Sequence, residues 1–252
     1  IEQLKEWAVD GMVPTPRAVL EAVHFLADGL PAMGTTVLID IGGATTDVHS
    51  VGGDEVAPDA LMKGLPEPRL KRTVEGDLGL RVSALAASDA LNTETLAKEV
   101  GMTAEALHAE AALRVQKPEL LCDADPVDRV FTIAAVAEAL CRHAGRLDPM
   151  PLRNGTWWQS GKDLRKAEVV IATGGVFAAR ADAAELLALA TSKSAQRDKL
   201  VPLSPRFLVD RDYVMFAVGL LARRFPQVAA ALARNSLAMG DAAAKEANMS
   251  SG

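Results

Sequence analysis

The chain has 252 residues, a formal net charge of −6, 49% hydrophobic and only 4% aromatic residues. That is enough apolar side chain for a sizeable core of Ala, Leu and Val, in one large domain or two small ones. The acidic balance without a basic block argues against a nucleic-acid surface, and no apolar run of about 18 residues is present to span a membrane.

The chain opens on Ile1 in the middle of what reads as a helix or loop, so its natural start is expected to lie upstream. No secretory leader is evident. Cys122 and Cys141 lack metal spacing or a partner motif, and the four histidines are scattered. Two buried thiols in a reduced cytoplasm are expected. Thr15 or Pro16 opens a helix whose Val19, Leu20, Val23 and Leu26 form one stripe, with Gly29 as its stop. Two strands follow, TTVLID and DVHSV, separated by IGGATT, then a turn at 52–54 and an extended piece, RLKRTVEGD. From about 77 to 145 the composition turns to Ala-rich helix, with two shorter helices expected between 91 and 121. The clearest helix begins at Asp125 as N-cap, has Pro126 at its first position and stops at Gly145. After 145 the chain reads as loop through Trp157 and Trp158. A short buried strand, VVIAT, then ends at a glycine pair and feeds the helix RADAAELLALATS. Asp210 reads as the N-cap of a helix carrying Val214, Phe216, Ala217 and Leu220, and a polar, Ala-rich helix ends the chain. Strands at both ends around a helical block predict an α/β lobe formed by 1–80 and 146–252, interrupted by a helical subdomain at 81–145.

The stretch VLIDIGGATTDVHSV wedges a carboxylate and two glycines between two strands. Gly42 and Gly43 permit positive φ and leave no Cβ in the way of an anion, while Thr45 and Thr46 add hydroxyls. Asp40 would repel a phosphate directly but suits an outer-sphere role toward Mg2+, which prefers oxygen and keeps its waters. Together these are the parts of a nucleoside triphosphate site. The competing reading is an ordinary hairpin, since Asp and Gly are turn residues. Neither a Walker loop nor a Rossmann turn fits. Gly174 and Gly175, after a buried strand and before a helix, offer a second bare backbone at a helix N-terminus. The competing reading there is a connection that needs small residues for packing.

VLIDIGGATTD resembles the second phosphate motif of the actin, sugar-kinase and heat-shock-chaperone ATPase superfamily, VVIATGG its adenosine motif, and DRDYVMFAVGLL its closing helix. More narrowly, PTPRAVLEAV, DIGGATTDVHSV, VEGDLGLR, QSGKDL and IATGGVF resemble the MutL/GlmL family associated with glutamate mutase, which is unrelated to the mismatch-repair protein of similar name. The resemblance implies an actin-like (ribonuclease H-like) ATPase lobe in an ATP-dependent reactivating or protective chaperone for an adenosylcobalamin-dependent mutase. It implies that Asp40 organises Mg2+ through water as the catalytic carboxylate, that Gly42, Gly43, Thr45 and Thr46 face the β- and γ-phosphates, and that Gly174 and Gly175 line the ribose and α-phosphate. Asp77 and Gly79 then stand near the hinge, and Ala217 and Gly219 let two subdomains pack closely. Lys162 is family-like without an evident physical role. No Asp-x-Gly-x-Thr turn precedes residue 37, so the first ATPase lobe is expected to be missing and this half to hydrolyse ATP poorly. A small-molecule kinase, with Asp47 as base, and a non-catalytic actin-like scaffold are the alternatives.

Other features invite plainer readings. Trp157 and Trp158 are expected as a local core anchor, His49 as a satisfied or surface residue, RLKR at 69–72 as a solvated strand edge, and AEALHAEAALR as an ordinary exposed helix.

Overall fold

The computed structural model describes residues 12–29, 33–119, 125–151, 155–196 and 198–239. The expected features at the opening of the chain, at Cys122 and in the tail after 239 lie outside the described residues. Among the described residues the chain is mixed α/β, with nine helices and two sheets. In chain order they are α1 (Thr15–Gly29), β1 (Thr36–Ile41), β2 (Thr46–Val51), β3 (Ala60–Met62), β4 (Leu70–Glu75), α2 (Ala84–Ala90), α3 (Thr93–Glu99), α4 (Ala104–Gln116), α5 (Pro126–His143), β5 (Arg146–Pro149), β6 (Trp157–Ser160), β7 (Val169–Thr173), α6 (Gly175–Ala178), α7 (Ala183–Ser194), β8 (Arg206–Asp210), α8 (Met215–Ala222), α9 (Pro226–Ser236) and β9 (Leu237–Met239).

The main sheet runs β4-β2-β1-β7-β8-β9. β1, β7 and β8 are parallel, and β2, β4 and β9 run antiparallel to their neighbours. The central strands are continuous apolar runs because both faces of the sheet are covered. Alternation along β1 sends Val37, Ile39 and Ile41 into the core beneath α5 and α7, and Leu38 into a second core beneath α1, α8 and α9. Asp40 shares the face of Leu38 and emerges at the C-terminal end of its strand.

Several elements differ from expectation for identifiable reasons. The segment 206–210 is strand β8, so Asp210 closes a strand rather than preceding a helix, because RFLVD is covered on both faces by packing that local sequence does not reveal. The stretch read as loop after 145 contains β5 and β6, which form a small sheet with β3 in the order β3-β6-β5. Trp157 and Trp158 sit in β6, half-buried. The segment 81–145 divides: α2, α3 and α4 pack on one another and on α5, whereas α5 lies on β1, β2 and β4 and shares their apolar core. Helix α5 begins as its sequence predicts, with the Asp125 carboxylate accepting from the amides of Val127 (2.8 Å) and Asp128 (3.3 Å) and Pro126 at the start.

His49 is fully buried, and neither ring nitrogen has a hydrogen-bond partner. This corrects the expectation of a satisfied or surface histidine: strand alternation points it beneath the helices on the α1 side. Helix α4 is not simply exposed either. Arg114, at 1% exposure, donates to Asp128 on α5 and is paired with Asp125 and Glu110. The RLKR segment is an edge strand as expected, but its cations are paired: Arg69 with Asp28, Lys71 with Glu67 and Arg72 with Asp47.

Candidate functional site

The strand ends build the site. β1 and β7 are parallel neighbours with Asp40 beside Thr173, and β8 follows in register one strand further out. The C-terminal ends of three adjacent parallel strands therefore share one edge of the sheet, the edge at which open α/β sheets place ligands. The glycine turn 42–45 leaves β1 at this edge, and Gly174 leaves β7 there. Gly174 has φ +114°, and a Cβ on it would collide with the Ile41 carbonyl. Gly174 is thus packed against the backbone of Ile41, the residue that leads into the 42–45 turn.

The turn 42–45 is closed by the Gly42 amide donating to the Thr45 carbonyl at 2.8 Å. It is strapped from outside by residues 78–83. Leu80 N donates to Gly42 O (3.0 Å), Arg81 N to Gly43 O (2.8 Å) and Ser83 Oγ to Ala44 O (2.7 Å). Gly79 lies so close to Ala44 that a Cβ would collide with its backbone. The carbonyls of the turn are consumed, while the amides of Gly43, Ala44 and Thr45 meet no acceptor among the described residues. Uncommitted N–H groups of this kind are able to receive an anion. Neither Gly42 nor Gly43 adopts positive φ, which corrects the stated reason for glycine here. Gly43 is needed for proximity, since its Cβ would lie 3.1 Å from that of Arg81.

Asp40 is half-buried, and no hydrogen bond reaches its carboxylate among the described residues. Its pKa is pushed up to about 6, first by burial, then by the carboxylates of Asp47 and Asp210, against the opposing pull of Arg72. Asp47, directly opposite on β2, accepts from Thr45 Oγ1 (2.9 Å) and Arg72 Nε (2.8 Å). Asp210 is fully buried and saturated. It accepts from Thr173 Oγ1 (2.7 Å), from the amides of Val214 (3.1 Å) and Met215 (3.0 Å), and from Ser236 Oγ. Two of these bonds come from the start of α8, whose N-cap position is Val214, so Asp210 fastens the helix from the end of β8 rather than as the N-cap residue the sequence suggested. Its position on Asp40's face of the sheet was not legible in the sequence.

The residue types suit an oxygen-preferring cation held through water. The available groups are carboxylates and hydroxyls, and the described residues contain no cluster of three acidic, His or Cys side chains able to grip an ion directly. Gly175 is exposed, and the space a Cβ would take there is empty. Thr46 is different: its buried hydroxyl donates to Leu78 O at 2.7 Å, which turns it away from any ligand and into the strap. Asp77 receives Arg142 at 2.7 and 3.0 Å, and this pairing holds its carboxyl below the usual range. Gly219 lets α8 meet α1 backbone to backbone, with no room for a Cβ against Ala18 and Ala22. Ala217 is half-buried on α8. Lys162, fully buried, donates to Gly52 O (2.6 Å) and Arg69 O (2.7 Å) at the opposite end of β2, where burial lowers its pKa to about 8.

The sequence has recognisable relatives. A family model described as MutL protein matches residues 1–237. The chain belongs to the MutL family. Protein MutL of Clostridium tetanomorphum is 35% identical to it over 234 residues, 90% of this chain and 51% of the relative. The chain thus spans about half the length of the curated relative it matches. Placed on the structure, the MutL resemblance traced along the sequence covers the strap, both glycine bends and the residues that tie down the 52–58 loop. Gln159, for example, accepts from Ala57 N at 2.7 Å and donates to Glu55 O at 3.2 Å. No helix among the described residues is long and apolar enough to cross a membrane.

Proposed function

We propose that this chain is the nucleotide-binding lobe of an actin-like ATPase that serves as a reactivating or protective chaperone for an adenosylcobalamin-dependent mutase, glutamate mutase or a related aminomutase. The observation that carries the nucleotide part is that both glycine bends leave the same sheet edge, Gly174 packed against Ile41 and Asp40 beside Thr173. The mutase part follows from family membership and the sequence motifs. In this reading the amides of Gly43, Ala44 and Thr45 receive the terminal phosphates of ATP, Gly174 and Gly175 present bare backbone to the ribose side, and Asp40 orients water around Mg2+. The cation, when bound, neutralises phosphate charge that the acidic cluster would otherwise repel. Asp47 stays fixed by Arg72 and Thr45, which suits a positioning role better than the general base a kinase would need.

Helix α8 supports a partner lobe. It is apolar on all sides, packs Val218 and Gly219 inward, and leaves Phe216 and Leu220 exposed. That outward face suits contact with the other half of a longer protein. Cleft opening and closing between the lobes would then transmit nucleotide state to the client enzyme.

The test uses the longer protein containing both halves. Asp40→Asn is expected to lower Mg-ATP turnover at least tenfold while changing nucleotide affinity by less than about threefold, a split characteristic of losing a group that acts on the transition state. Turnover is expected to rise on adding inactivated cobalamin enzyme. Stimulation by a small metabolite instead would favour the kinase reading, and dependence on protein concentration alone a scaffold.

A further inference from the structure

Three non-glycine residues among those described adopt positive φ: Asp59, Asn92 and Tyr213, the last at +53°. Asp and Asn tolerate this region, whereas a bulky aromatic there is an outlier. The turn holding Tyr213 is fastened on every side. Arg211 N donates to Ser236 O (3.0 Å), Asp212 N to Ser236 Oγ (2.9 Å) and Arg211 Nη1 to Arg180 O (2.7 Å), while Asp210 takes the next two amides of α8. A strained conformation held by so many bonds is one the fold imposes, and such strain gathers at ligand sites.

The position gives the strain a purpose. Tyr213 stands just beyond the end of β8, across β7 and Gly174 from Asp40. Its ring meets Phe216 edge-on, with centroids 6.2 Å apart and planes at 70°, and it remains 41% exposed. Burial, then the charges of Asp40 and Asp210, push the phenol pKa up, so Tyr213 keeps its proton at neutral pH. An uncharged donor at the mouth of an acidic cluster can meet an anion without adding charge.

We propose that Tyr213 is a ligand-contacting residue of this site, its phenol O–H donating to the polyphosphate, or to a water held by its cation, at the strand-end edge beside Asp40. The inference rests on the nucleotide reading above and adds a residue to it.

The experiment compares wild type with Tyr213→Phe and Tyr213→Gly in the longer protein containing both halves, measuring Mg-ADP affinity by calorimetry and melting temperature without ligand. Tyr213→Phe is expected to melt as wild type and bind about tenfold more weakly, the loss expected for one hydrogen bond to a charged group. Tyr213→Gly, free to take positive φ, is expected to melt no lower than wild type and to bind at least as weakly as the Phe variant. Wild-type affinity in Tyr213→Phe, with wild type itself binding, overturns this proposal alone. A wild-type chain that binds no Mg-nucleotide overturns the nucleotide reading and the Tyr213 proposal together.

Discussion

Asp40 and His49 stand on the same face of the sheet, and burial drives their titrations in opposite directions. His49 has its pKa lowered to about 4, chiefly by burial. A depressed folded pKa means that its contribution to stability is whole above the ordinary value of 6.5 and is lost as pH falls toward 4, by up to about 3 kcal/mol. The pKa of His143, buried between Thr73 and Ser50, shifts the same way. Asp40 is the reverse case. Its folded pKa is raised to about 6, so its destabilising effect is absent below 3.8 and complete above 6. Asp40→Asn is therefore expected to raise stability by about 3 kcal/mol at pH 7.5 and by only about 0.5 kcal/mol near pH 4. His49→Leu is expected to lose less stability than wild type between pH 7 and 5. Urea titrations at these four pH values check both; an Asp40→Asn gain that persists undiminished at pH 4 would refute the electrostatic account.

At the scale of elements, close backbone approach matters more than propensity. Helix α8 meets α1 only because Gly219 has no Cβ, and β7 turns into α6 only because Gly174 has none. Gly175, one residue on, points its missing Cβ into open space. Gly219→Ala is expected to cost roughly 2 kcal/mol or more, because the new methyl must push two helices apart. Gly174→Ala combines a collision with a disallowed φ and is expected to cost at least as much. Gly175→Ala is expected to be within about 0.5 kcal/mol of wild type in thermal melts. Equal melting temperatures for all three variants would show that these contacts do not hold the elements together.

Across the whole molecule, the turn 42–45 is wired to the helical block. Arg81 holds Gly43 with its main chain and Asp128 of α5 with its guanidinium, at 3.1 and 2.7 Å; Asp128 also accepts from Arg114 of α4 at 2.8 Å. All three side chains are buried. Removing one partner strands buried charge, whereas replacing the whole set with apolar groups does not. Asp128→Ala is expected to lose about 3–5 kcal/mol in urea denaturation, and the triple variant Arg81→Met, Asp128→Leu, Arg114→Met much less. A triple variant as damaged as the single one would mean that the network's geometry, rather than charge pairing, carries the stability.

Much of this was legible in the chain itself. The runs VLI and VVI mark strands covered on both faces, Asp125 and Pro126 mark the start of α5, and the glycine pairs at 42–43 and 174–175 mark bends where backbone is bare. These are local signals, set by side-chain period, capping and steric freedom. What only the tertiary structure decided is what meets what. β8 became a strand because β7 lies beside it. Thr46 turned to Leu78, His49 lost its partners beneath the helices, and Arg114 sank onto Asp128. Asp210 came to share Asp40's face of the sheet because β7 sets β8 one strand away from β1, in register. Hydrogen bonding and desolvation act through space, and residues far apart in sequence become neighbours only once the sheet order is set.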